Sequence, residues 1–318
     1  MIDKLEYLIA LARERNFSRA AESCGVTQPT LSAGIKQLED TLGVLLVNRS
    51  SRFYGLTAEG ERVLEWARRI VSDARAMRQD VHASKTALAG HLTLAAVPTA
   101  LPMVAELTTP FRAKHPDVHF TVLSKTSREI LSMLDDFQID AGLTYLDNEP
   151  LGQLHTVPLY REQYRLLTSA GSPLAERAEV TWADVGRIPL CLLTPDMQNR
   201  RIIDRLLANS AAPPPIESNS MVVLFSHARS GGCACIVPEK LANLLGVSEP
   251  LRSIPITEPR ELHIIGLVSP HREPIPPLTR ALVAEADRLT MPQKQRHLRA
   301  PSSASAPRRS PRRTSLAS

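Results

Sequence analysis

Residues 16–49 describe two short helices joined by a tight turn, and no other stretch of the chain narrows its fold as far. Ser18 is placed to cap the first helix, Ala20 and Ala21 are small enough for close packing, and Gly25 sits where a left-handed residue closes the turn. Thr27 can cap the second helix, Pro29 suits its first turn, and Leu31, Ile35, Leu38 and Leu42 recur at helical spacing to bury one face. Pro29, Ala33 and Lys36 point the other way, flanked by Thr30, Ser32 and Gln37. Such small outward residues let a helix lie close in a DNA groove. On that reading Gln28, Thr30 and Ser32 reach base edges from the helix start, while Lys36, Arg49 and Arg52 reach phosphates. An amphipathic hairpin inside a core would show the same apolar stripe.

The same run resembles the winged helix-turn-helix of LysR-type transcriptional regulators. The matching residues are Phe17-Ser18-Arg19-Ala20-Ala21, Thr27-Gln28-Pro29, Leu31-Ser32-Ala33-Gly34-Ile35-Lys36-Gln37-Leu38-Glu39 and Leu42-Gly43. A following Leu-Phe-x-Arg pattern is kept only at Leu46 and Arg49, with Val47 in place of the aromatic, a change expected to loosen the wing. Gly34 also departs from good helix chemistry, at a cost of about 1 kcal/mol relative to Ala, so this helix is expected to lean on tertiary support. The resemblance implies that Ser18, Thr27, Gln28, Pro29, Thr30, Ser32, Ala33, Lys36, Arg49 and Arg52 form the DNA face.

At 318 residues and 43% hydrophobic content the chain can build more than one core. No apolar run reaches the ~20 residues of a membrane span, and Asp3, Lys4 and Glu6 interrupt any secretory apolar region, so a cytoplasmic, nucleoid-associated protein is expected. Cys24, Cys191, Cys233 and Cys235 fit neither a disulfide framework nor a zinc spacing. No metal or cofactor is expected. The net charge of +5 is unevenly spread: residues 293–318 carry seven cations and no carboxylate, whereas 91–292 are net negative. That Ser/Ala/Pro/Arg tail reads as disordered.

Thr57 caps a segment running without proline to about Leu88, in which Val63, Leu64, Ala67, Ile70, Val71, Ala74, Met77 and Val81 form a long apolar stripe. A second copy of the helix or the chain's own domain would each satisfy it. Beyond Gly90, short apolar runs alternate with helix-length segments, the order of an α/β domain. The resemblance sharpens this into an α+β multidomain chain. It has a winged helix-turn-helix at 1–57, a linker and dimerisation helix at 58–89, and a two-lobed, periplasmic-binding-protein-like effector domain at 90–292. Lobe I takes about 90–160 and 266–292, lobe II about 161–265. It further implies a homodimer assembling to a homotetramer on double-stranded promoter DNA, with RNA polymerase as a further partner, whose DNA bend or spacing changes when a small metabolite closes the cleft.

In α/β lobes, ligands collect beyond the carboxyl ends of strands, at helix starts. Three such junctions stand out: Val97-Pro98-Thr99-Ala100, Ser124-Lys125-Thr126-Ser127, and Thr194 through Arg200. Thr99, Thr126, Ser127 and Thr194 supply hydroxyls, and Gln198 or Arg200 further donors, for a small anion. Ser127 and Thr99 could equally cap their own helices, Arg200 could be a solvated charge, and His227 is a weaker candidate beside Phe225. An enzyme lacks support, since no Gly-x-Ser-x-Gly elbow, phosphate loop or His-Glu-x-x-His motif occurs. A thiol sensor using Cys191 with Cys233 or Cys235 is the other alternative, opposed by the apolar setting of Cys191.

Overall fold

The computed structural model describes residues 1–49, 53–83, 88–147, 149–207, 213–246 and 248–298; Arg52 and residues 299–318 of the basic tail lie outside these. The chain opens with α1 (Ile2–Glu14), α2 (Phe17–Ser23) and α3 (Gln28–Leu42), packed as a three-helix head. Ser18 does not cap α2. Asn16 does, accepting from the backbone N–H of Ser18 at 2.9 Å and Arg19 at 3.1 Å, because the extended backbone of Asn16 precedes the helix and Ser18 already lies in its first turn. Gly25 takes φ +67° at the turn. Thr27 caps α3 through Thr30 N–H, and Pro29 falls in the first turn, where its missing N–H costs no hydrogen bond.

Leu31, Ile35 and Leu38 are buried, but Leu42 is 41% exposed because α3 ends there, at Gly43, beyond the head's core. Gly34 has a steric cause. A Cβ at that position would lie 2.6 Å from the Tyr7 ring of α1, so α3 gives up helix propensity for close contact between the two helices. The wing is an antiparallel pair, β1 (Val47–Arg49) and β2 (Phe53–Leu56), with Val47 buried in the head's core. Buried Glu39 accepts from the N–H groups of Leu46 at 2.9 Å and Val47 at 3.2 Å, fastening the end of α3 to the wing.

Thr57 caps α4 (Ala58–Ala83), accepting from Gly60 N–H at 2.9 Å. Its apolar residues divide between two faces. Leu64, Ala67 and Val71 are buried, whereas Trp66, Ile70, Met77 and Val81 are exposed. Arg68 of α4 meets Asp136 at 2.5 Å, and Asp73 meets Arg272 at 3.9 Å, so this helix is held twice against the following domain.

That domain contains β3 (Gly90–Ala96), a 3-10 turn (Pro98–Ala100), α5 (Leu101–Lys114), β4 (Val118–Ser124), α6 (Ser127–Asp135), β5 (Ala141–Tyr145) and β6 (Leu154–Glu162). The chain then crosses into a second lobe of β7 (Tyr164–Ser169), α7 (Trp182–Val185), β8 (Leu190–Leu193), α8 (Gln198–Leu207), β9 (Ile216–Ser218), α9 (Met221–Ser230), β10 (Ala234–Pro238), α10 (Glu239–Leu244) and β11 (Leu251–Pro255). β12 (His263–Pro270) and α11 (Pro277–Leu298) return to the first lobe. Each lobe has a five-stranded mixed sheet, β4-β3-β5-β12-β6 and β11-β7-β10-β8-β9.

The return therefore precedes Gly266, which lies inside β12 and is paired to Thr144 and Pro158; strand pairing from His263 onward fixes the boundary earlier than expected. The backbone of α11 also continues helical through 293–298, which the sequence reading assigned to a disordered tail; Gln, Lys, Arg and Leu there are good helix formers.

Candidate functional site

The head presents Thr27, Gln28, Pro29, Thr30, Ala33 and Lys36 to solvent on α3, with Ser32 half-buried beside them. Ser18 Oγ donates to Gln28 Oε1 at 3.2 Å, and the Thr27 and Thr30 hydroxyls lie 2.8 Å apart. These bonds pre-set the start of α3 before any partner arrives. Arg49 closes β1 in the adjacent wing. A protruding helix start with small side chains, one cation and a neighbouring wing has the shape and hydrogen-bonding groups that a DNA groove accepts.

Between the lobes lies a cleft of about 630 Å³, to which the three junctions contribute Pro98 from the first, Ser124, Lys125 and Thr126 from the second, and Asp196 and Met197 from the third, with Leu101 of α5 beside Pro98. α9 adds Ser220, Met221 and Val222 across the mouth. Thr126 has a double task. It caps α6, accepting from Glu129 N–H at 3.1 Å, while its own N–H donates to Glu129 Oε2 at 2.8 Å; this pairing holds the Glu129 carboxyl below the usual carboxylate range.

Several expected effector residues are elsewhere. Val97 and Ala100 are buried in the core, and Thr99 is fully buried in the 3-10 turn, where its hydroxyl shares a 3.3 Å hydrogen bond with Tyr145 rather than capping a helix. Ser127 does not cap α6 either. Its Oγ, like Thr194 Oγ1, is buried with no hydrogen-bond partner among the described residues. Arg200 is buried rather than a surface charge: its Nε pairs with Asp204 at 2.7 Å, and its Nη1 with Glu217 at 2.5 Å and the Leu193 carbonyl at 2.7 Å, tying α8 to β8 and β9. Gln198 accepts from Arg201 Nε at 2.9 Å and faces a different groove. His227 lies half-buried farther along α9, away from the residues lining the cleft.

Sequence reasoning missed the cluster where the lobes join. Tyr145 donates to Glu162 at 2.6 Å, and Asn199 Nδ2 donates to the hydroxyls of Tyr145 at 3.3 Å and Tyr164 at 3.5 Å. Thr99 and the rings of Tyr145, Tyr164 and His263 complete it, drawing on both lobes and both crossings. Burial pushes the Glu162 carboxyl up to about 7 and raises both tyrosines. These residues are spread over more than a hundred positions, so no spacing announces them. Glu39 was missed differently: it stood within the matched motif, but its bonds to the wing were not foreseen.

Residues 2–61 match the family described as bacterial regulatory helix-turn-helix protein, lysR family, and residues 85–289 match the LysR substrate binding domain. The chain belongs to the LysR family of transcriptional regulators. This LysR-type chain is 32% identical over 193 residues to the hydrogen peroxide-inducible genes activator of Dickeya chrysanthemi, an alignment covering 60% of the chain and 63% of that protein. It is 27% identical over 293 residues to the DNA-binding transcriptional dual regulator OxyR of Escherichia coli K12, covering 90% and 96% of the two chains. Among solved structures, a full-length OxyR variant of Pseudomonas aeruginosa superposes with TM-score 0.73 at 26% identity, covering 92% of this chain and 95% of that one. Full-length CbnR in complex with its target DNA shares the fold, with TM-score 0.64 at 21% identity over 91% and 99%.

Three of the cysteines, Cys191, Cys233 and Cys235, are buried, and Cys24 in the head is half-buried. Cys191 is fully buried and its Sγ donates to the carbonyls of Leu224 and Ala234, both at 3.4 Å; hydrogen bonding to Cys235 and burial raise its thiol far above the ordinary range. Burial pushes Cys233 up to about 12. None of the described residues lining the inter-lobe cleft is a cysteine. No described helix is long and apolar enough to cross a membrane.

Proposed function

We propose that this LysR-type chain binds promoter DNA through α3 and its wing and changes that binding when a small molecule enters the inter-lobe cleft. The observation that carries the DNA reading is the solvent-facing start of α3, where Gln28, Thr30 and Lys36 stand among residues too small to obstruct a groove. The effector reading is supported by the cleft itself, which draws Ser124, Lys125 and Thr126 from one lobe and Asp196, Met197 and Ser220 from the other; next to its lining in sequence, the buried hydroxyls of Ser127 and Thr194 have no hydrogen-bond partner among the described residues, and an orphaned buried polar group costs about 1–3 kcal/mol unless something answers it. Exposed Trp66, Ile70, Met77 and Val81 support pairing of α4 in a homodimer. Assembly to a homotetramer and contact with RNA polymerase are further parts of this proposal, supported by the family resemblance alone. The mechanism is a population shift, with the ligand's preference for one lobe arrangement limiting the change.

The relatives named for hydrogen peroxide favour a thiol-sensing second reading, which the depth and raised pKa of Cys191 and Cys233 oppose. Charge at the cleft mouth does not select an anion: Lys125 is paired with Glu129 at 3.0 Å, and Asp196 adds a carboxylate.

Footprinting on the DNA upstream of the chain's own gene, with a panel of metabolites, tests the proposal. Lys36→Ala should weaken protection roughly tenfold or more. Ser127→Ala and Thr194→Val should leave DNA affinity unchanged and raise the melting temperature, since each removes an unanswered buried hydroxyl, while abolishing the metabolite-dependent shift. A normal shift in both variants would remove the effector assignment without touching the DNA reading.

A further inference from the structure

The polar side chains at the start of α3 are tied to one another, and the ties decide which of their atoms remain to read a base. Ser18, in the first turn of α2, donates its hydroxyl hydrogen to Gln28 Oε1 at 3.2 Å. Thr27 and Thr30 share a hydrogen bond of 2.8 Å, and Thr27 Oγ1 also accepts from Thr30 N–H. Gln28 itself is exposed, and its Nε2 has no partner among the described residues, so both amide hydrogens stay available.

A glutamine amide accepts through Oε1 and donates through Nε2. Unrestrained, it pairs with adenine through both atoms at once, Oε1 taking a hydrogen from N6 and Nε2 giving one to N7. That pairing needs Oε1 and Nε2 side by side at the base edge. Here Oε1 is drawn back toward α2 by Ser18, which leaves the donor end of the amide outermost on the helix start. Guanine presents two acceptors, N7 and O6, to the major groove, whereas adenine sets a donor, N6, beside its N7. Two outward N–H groups therefore meet an acceptor at both atoms of guanine and a competing donor at adenine.

We propose that Ser18 is a positioning residue for base recognition: by holding Gln28 Oε1 it makes the head favour guanine over adenine at the base pair that Gln28 faces. The inference rests on the DNA reading of α3 and adds to it the base that one side chain selects. Ser18 can be altered without loss of α2, because Asn16 is the cap of that helix and alanine suits a helical position.

The test is selection by the full-length chain from a library of synthetic duplexes with a randomised core, followed by sequencing of the bound fraction. The position that Gln28 reads is the one whose preference Gln28→Ala flattens, and the unaltered protein should enrich guanine there. In Ser18→Ala the ratio of guanine to adenine at that position should fall roughly fivefold or more, with the rest of the half-site unchanged. Ser18→Thr, which keeps the hydroxyl, should preserve the ratio, and Ser18→Ala added to Gln28→Ala should have no further effect on it. Adenine at that position in the unaltered protein, an unchanged ratio in Ser18→Ala, a uniform loss of enrichment in that variant, or no position flattened by Gln28→Ala would overturn the proposal and leave the DNA reading standing. Failure of the unaltered protein to enrich any sequence would remove the DNA reading, and this inference with it.

Discussion

Glu162 is buried where β6 hands the chain to the second lobe, and its environment sets a pH dependence. Its carboxyl is pushed up to about 7 from an ordinary value near 4.5, with burial the leading cause. The folded state therefore holds a proton that the unfolded state has released, so stability falls as pH rises between those values. The protonated contribution is complete below about 4.5 and lost above about 7, amounting to roughly 3 kcal/mol. Calorimetric melting from pH 5 to pH 8 should show this decline, and Glu162→Gln should flatten it and melt higher at pH 8. An equal decline in the variant would place the sensitivity elsewhere. At this scale the sequence disclosed capacities but not partners. Thr126 was legible as a hydroxyl at a helix start, but its bond to Glu129 and the sealed Ser127 beside it depend on which rotamers packing permits. Gly34 looked like a weakness because Tyr7, the ring that requires it, comes from another helix.

Among the elements, α4 carries two apolar faces where the sequence showed one broad stripe, and only one of them is buried among the described residues. Ile70→Asp alters the exposed face and should cost the head under about 1 kcal/mol, yet weaken self-association roughly thirtyfold or more if that face pairs. Sedimentation equilibrium decides this, since an unchanged mass distribution would assign the stripe another role. Helix α5 and the central strands β3, β5 and β10 were readable because their apolar periodicity is long or continuous, whereas central β7 and the four-residue α7 were not read. Nor was β6. It is an edge strand with Pro158 inside it, tolerated at a sheet margin but suggestive of a connection when read in line. The short wing strands and three-residue β9 offer too few residues for periodicity to register.

For the whole molecule, the sequence placed the reading head and the three junctions of the cleft, but not the tyrosine cluster at the lobe crossings, which arises only when both lobes are assembled. The sealed Cys191, Cys233 and Cys235 give a global expectation: mild hydrogen peroxide should leave the DNA footprint unchanged, and a peroxide-dependent shift lost in Cys191→Ser would reinstate thiol sensing. The two contacts between α4 and lobe I bear on how a signal travels. One ion pair, Arg68 with Asp136, would act as a pivot about which the helix could swing. A second, Asp73 with Arg272, makes the attachment a bracket, and a bracket transmits torque. On the proposed pairing of α4, a turn of lobe I would reach that helix as a change of heading, and two reading heads so joined would register it as a new angle between the DNA segments they grip.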